Sequence, residues 1–256
     1  MPRYKIVVEY NGTNYAGWQI QKGEPSIQEE LQKAVFGFSG EDVVVTGAGR
    51  TDAGVHALGQ VAHFDCTKVM SSFHMCQALN AYLRPQPISV LSAEIVPDDF
   101  SARFSAVERS YLYRILNRRS RPALDDGRVW WVGAPLNVEA MRDAATVFLG
   151  KHDFTTFRAV ACQAKSPVRT LEEFSVTKNG DYIDFHLRAR SFLHHQVRNM
   201  VGTLKLVGEG HWDKARVIKA LEAKDRKEGG PTAPPDGLYF ESVKYPETIA
   251  TNQDNS

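Results

Sequence analysis

Cysteine is scarce in this 256-residue chain: Cys66, Cys76 and Cys162 are an odd number with no Cys-x-x-Cys spacing. That argues against a disulfide framework and against a cysteine-built zinc site. Long apolar runs are missing as well. None approaches the roughly 18 residues of a membrane-spanning helix, and the opening MPRYKIVVEYNGTNY has no apolar stretch behind its basic residues, so no secretory leader is expected. Net charge is nearly absent, with 31 Lys and Arg against 30 Asp and Glu. What remains is ordinary globular material, 43% hydrophobic and 24% charged, which excludes disorder and fibrous repeats. A chain of this length buries about 70–75% of its unfolded surface without staples. The expectation is a soluble, cytoplasmic protein of a reducing compartment, with no membrane association.

Neutrality overall conceals local excess. Between Arg103 and Arg128 stand seven arginines against three acids, and between Arg188 and Arg216 six basic residues against two acids. Arginine carries most of this excess, and its planar fork suits phosphate. Such blocks are either a solvated surface or one face of a protein that binds an anionic polymer.

The pattern along the chain predicts two similar halves. Arg3–Tyr10 alternates as a strand, Ser26 with Glu29 forms a capping box, and Ile27, Leu31, Ala34, Val35 and Phe38 recur at helical spacing. Strands are expected at Val43–Thr46, Gln60–Asp65 and Ile88–Val96, and a helix at Ser72–Leu83. The second half repeats the order. Tyr111–Leu116 reads as a strand, Asn137 caps a helix closed by Gly150, and Asn179-Gly180 joins strands Phe174–Lys178 and Tyr182–Arg190. Helices follow from about His194 to Val207 and from Asp213 to Lys224, then a strand at Leu238–Lys244. Antiparallel hairpins mixed with helices indicate an α+β fold. The expected organisation is an N-terminal half, 1–105, a C-terminal half, 106–245, and a disordered polar tail, 246–256.

The densest unusual run is GAGRTDAGVHALGQ, residues 47–60. Its glycines permit positive φ and close approach of a ligand. A dinucleotide loop would need glycine at position 52, where Asp52 stands, and Gly-Lys-Ser/Thr is absent. An aspartate there either orders the turn or serves chemistry. His56, His63, His194 and His195 could form a metal site only if folding happened to gather them, so no metal is expected.

Arg50-Thr51-Asp52-Ala53-Gly54-Val55-His56-Ala57 resembles the signature of the TruA family of tRNA pseudouridine synthases. The opening EYNGTNYAGWQIQ, then PDDFSARFSA with Arg109-Ser110-Tyr111, KHDFTTFRA, SFLHHQVRNMVGTL and GLYFESVKYP resemble further family motifs in the same order, from Tyr4 to Pro246. Gln196 departs from the pattern, which favours an apolar residue there. The lack of long insertions favours the bacterial type.

The resemblance implies the pseudouridine synthase fold: two similar halves, each a mixed, mainly antiparallel sheet flanked by helices, with an active-site cleft between them. It implies isomerisation of uridine at positions 38, 39 and 40 in the anticodon stem-loop of tRNA. The N1–C1′ bond breaks, the base turns, and C5 joins C1′. No redox change or net group transfer occurs, so no cofactor is expected. Asp52 matches the essential aspartate, a carboxylate able to act as nucleophile or base; attack on C1′, addition to C6 and removal of a ribose proton all remain open. Arg198 matches the arginine that pairs with it, and Tyr111 the tyrosine that stacks on the uracil, a contact typically worth ~1–3 kcal/mol. Arg50 matches the arginine that enters where the flipped nucleotide leaves the stack. His56, His194 and His195 are expected to support the site or contact phosphate. The partners implied are tRNA and a second copy of the chain. The rival readings are a non-catalytic RNA-binding protein on the same scaffold and a hydrolytic glycosidase, which usually needs two carboxylates.

Overall fold

A computed structural model describes residues 1–246, so all of the expected tail but Pro246 lies outside the described residues. The chain forms two compact units, one comprising Met1–Arg109 with the chain from Phe240 onward, the other Ser110–Tyr239. The closing strand, Leu238–Lys244, which sequence order assigns to the second half, thus falls mostly in the first unit. Both units are α+β.

In the first unit β1 (Arg3–Tyr10), β2 (Thr46–Gly47), β3 (His56–Asp65) and β4 (Ile88–Val96) alternate with α1 (Ile27–Ser39) and α2 (Ser72–Leu83). The strand order is β4-β1-β3, then the closing strand, with β2 on β3. β1 is antiparallel to both neighbours. Its alternation puts Tyr4, Ile6 and Val8 inside, where they meet the apolar faces of the helices: Ile27, Leu31 and Val35 of α1, and Met75, Leu79 and Leu83 of α2. Each such aliphatic side chain contributes about 1.5–3 kcal/mol by leaving water. The capping box forms at Ser26, whose hydroxyl accepts from the Glu29 N–H at 3.3 Å. Gly40, at φ 75°, ends α1.

The expected strand at Val43–Thr46 is a correction. Only Thr46 and Gly47 pair with β3. The Val45 N–H donates to Gln32 Oε1 at 3.2 Å, and its carbonyl accepts from Gln28 Nε2 at 2.8 Å. Side chains of α1 therefore take the backbone groups that a strand partner would otherwise satisfy.

The second unit is entered along β5 (Glu108–Asn117) and continues with β6 (Trp130–Val132), α3 (Val138–Ala145), β7 (Gly150–Asp153), β8 (Val168–Asn179), β9 (Tyr182–Ala189), α4 (Gln196–Gly208) and α5 (Lys214–Ala223). The order is β5-β9-β8-β7, with β6 parallel to β5. The expected hairpin forms, with its two-residue loop at Gly180-Asp181 rather than Asn179-Gly180: Asn179 pairs with Tyr182, and Gly180 takes φ 59°. Ile183, Phe185 and Leu187 point inward. They join a cluster of rings in which Phe148 lies 4.9 Å from Phe157 and 5.7 Å from Phe174. α3 stops at Ala145 rather than running on to Gly150, because a 3₁₀ turn, Thr146–Phe148, leads into β7.

Candidate active site

In the first unit, the glycine-rich run is the connection between β2 and β3, two antiparallel strands. Its central residues alternate as an extended chain does: Thr51 is buried, Arg50 exposed and Asp52 half-buried. The two charged side chains thus point away from the core, on either side of one that points into it.

A second loop, residues 11–18, presses against this segment from β1. The Trp18 N–H donates to the Thr51 carbonyl at 3.1 Å, and the Gly54 N–H to the Tyr15 carbonyl at 3.2 Å. Side chains are excluded at two points of contact. A Cβ on Gly17, whose φ is +106°, would lie 2.4 Å from the Thr51 oxygen, and one on Gly12 would lie 2.0 Å from the Val55 oxygen. The glycines of EYNGTNYAGWQ are there so that one backbone can lie against another. His56 belongs to this packing. Its ring is 1% exposed, and its Nδ1 accepts the Gly12 N–H at 3.0 Å. It stands beneath the loop rather than on its surface, which leaves a direct phosphate contact, one of its expected roles, without a path.

The stem of the loop is held from the other side by Arg109. Its guanidinium donates to the Ala48 carbonyl at 2.9 and 3.2 Å and to the Arg103 carbonyl at 2.7 Å. Part of the first basic block is therefore structural.

In the second unit, Tyr111 lies half-buried on β5. Its ring meets Phe192 edge-on, with centroids 4.9 Å apart. Tyr113, two residues on, is 0% exposed and donates its hydroxyl to the Pro234 carbonyl at 2.8 Å, and burial pushes its pKa well above the ordinary value. Tyr113 is a core residue, and Tyr111 the tyrosine with a face to offer.

Phe192 opens the segment that leads into α4. His194 is exposed and His195 half-buried, their rings 4.1 Å apart. His195 sits at φ 61°, an uncommon backbone for a residue other than glycine. Gln196, the departure noted above, is buried and accepts the Leu193 N–H at 2.8 Å. Arg198 lies in the first turn of α4, tied to the 231–235 loop: its Nε donates to the Ala233 carbonyl at 2.8 Å, and the Ala233 N–H returns to the Arg198 carbonyl at 3.1 Å. The structure thus joins Tyr111, through Phe192, to the segment bearing His194, His195 and Arg198, and it joins Arg50, Asp52 and His56 on one loop. The sequence did not point to Phe192, or to the 231–235 loop as the anchor of Arg198. The Pro/Gly composition of 229–235 was the only sign of the latter.

The sequence pattern of the family described as tRNA pseudouridine synthase matches residues 6–105 and 144–246. This chain belongs to that family. Among curated relatives, the tRNA pseudouridine synthase A of Rhodospirillum rubrum is 58% identical over 251 residues, covering 98% of this chain and 90% of that protein. The enzyme of the same name from Allorhizobium ampelinum is 56% identical over 248 residues, 96% of each chain, and that of Parvibaculum lavamentivorans is 54% identical over 245, covering 96% of this chain and 100% of its own. Tyr111 falls between the two segments matched by the family pattern but within the span of these alignments.

Proposed function

We propose that the chain isomerises uridine to pseudouridine at positions 38, 39 and 40 in the anticodon stem-loop of tRNA, in the cytoplasm and as a homodimer. The observation that carries this reading is the intact Arg50-Thr51-Asp52 string, held on a braced loop with its two charged side chains turned outward, in a member of this family. Asp52 is the reacting carboxylate. Arg198, fixed through its backbone and Nε, presents a guanidinium to keep that carboxylate charged and oriented. Tyr111 offers its ring face to the uracil. Arg50 takes the place of the extruded nucleotide, and His194 and His195 contact phosphate. His56 supports the loop from below.

The balance of the reaction needs nothing from outside. The N1–C1′ bond breaks, C5–C1′ forms, and the proton displaced from C5 is matched by the one N1 gains. Purified protein incubated with unmodified tRNA and no added cofactor should form pseudouridine. Free uracil would mean glycosidic hydrolysis, and neither product would mean a binding protein. Asp52→Ala should abolish turnover while tRNA is still retained in a binding assay; near-normal turnover would remove Asp52 from the chemistry. Light scattering of the eluted protein tests the dimer.

A further inference from the structure

We propose that the buried side chains of Tyr10 and Gln60 are positioning residues for the isomerisation, clamping the Arg50-Thr51-Asp52 segment at its middle residue, Thr51, and at Gly49 just before it. The inference rests on Asp52 being the reacting carboxylate.

Tyr10 ends β1 and is 4% exposed. The inward positions before it, Tyr4, Ile6 and Val8, serve packing, and a phenylalanine would fill the place of Tyr10 equally well. Its hydroxyl, however, lies 2.9 Å from Thr51 Oγ1. Thr51 is thereby held twice, through its side chain by Tyr10 and through its carbonyl by the Trp18 N–H. Gln60, on β3, is 0% exposed and donates its Nε2 to the Gly49 carbonyl at 2.8 Å. Its Oε1 is buried without a hydrogen-bond partner among the described residues. The amide nitrogen of Gln60 is thus committed to the backbone of the glycine-rich loop. Burial pushes the pKa of the Tyr10 hydroxyl up to about 12, so its contact with Thr51 keeps its proton across the neutral range. The two anchors fall on residues 49 and 51, and the outward residues 50 and 52 are the two with chemistry. Small displacements of a reacting group are costly, about 100-fold for 1 Å.

Turnover and binding separate this role from mere stability. Tyr10→Phe and Gln60→Met should each lower kcat about 10- to 100-fold with KM for tRNA and the thermal midpoint little changed. Thr51→Val should reproduce the Tyr10→Phe loss, Thr51→Ser should restore activity, and the Tyr10→Phe/Thr51→Val double variant should be no slower than either single one. Should Tyr10→Phe fail to fold, the Thr51 pair reads the same contact from its other end. Wild-type kcat in the variants, or losses that multiply in the double variant, would overturn the clamp. An active Asp52→Ala protein would instead overturn the reading of the site; an inactive one beside fully active Tyr10→Phe and Gln60→Met proteins would remove the clamp alone.

Discussion

His63 shows how a single ring can tie stability to pH. It lies half-buried on β3, edge-on to Phe100 at 6.0 Å, with its Nδ1 accepting the Ala102 N–H at 3.1 Å. Burial, and then the nearby Arg3 guanidinium, hold its pKa below the ordinary value, against a smaller opposing pull from Asp65. The folded state therefore prefers the neutral ring, and the unfolded chain takes up the proton first. Stability should fall as pH drops below about 6.5 and level off below the depressed folded value. Denaturant titrations between pH 7.5 and 5 would show that slope in the wild type and its loss in His63→Gln. Asp65, whose carboxyl Arg3 holds below its usual range from 2.8 Å, loses its contribution only in a separate, more acidic window, as pH falls through that depressed value. At this scale the sequence supplied candidates but not their surroundings. Tyr111 and Tyr113 share a spacing that suggests one face of a strand, yet β5 buries residues on both faces, Leu112 beside Tyr113 and Ile115 beside Leu116. Only packing separates the two tyrosines.

The elements were legible where local chemistry decides them. β1, α2, β4 and the closing strand have the bounds their alternation or helical spacing predicts, and the caps at Ser26, Asn137 and Asp213 form as their side chains require. Illegible were the pieces defined by distant partners. β6 is three residues set parallel to β5, and β7 is four residues set against the far end of β8; nothing within such short segments announces a strand. The glycine-rich loop is a mixed case. Its sequence marks it out, whereas the loop 11–18 that braces it reads only as a turn. That bracing predicts a contrast between two glycines. Gly23, at φ +82°, faces open space, so Gly23→Ala should cost only the backbone strain, about 1–2 kcal/mol. Gly17→Ala adds a methyl 2.4 Å from the Thr51 oxygen and should lower both the melting temperature and kcat beyond that. Equal effects of the two substitutions would show that the loop tolerates displacement.

Over the whole molecule, net charge says little, and pairing decides which arginines remain for a polyanion. Arg114 is bound through two hydrogen bonds to Asp184, each 2.8 Å, Arg128 pairs with Asp125 at 2.8 Å, and Arg188 reaches Glu173 at 3.2 Å. Among the described residues Arg119 and Arg121 make no ion pair. Affinity for tRNA should fall steeply with salt. Arg121→Gln should lower the slope of log K against log salt by about one if it meets a phosphate, whereas Arg114→Gln should be felt in stability instead. Filter binding across a salt series measures both slopes, and a flat wild-type response would rule out phosphate-led docking.

The closing strand sits beside β3 although nearly all of the second unit precedes it along the chain. On the ribosome, then, β3 waits with an open edge while some 170 further residues, Cys66 to Gly237, are translated. A nascent chain stalled before Leu238 would present that edge to any strand it meets, making late truncation a greater aggregation hazard than the small loss of length suggests.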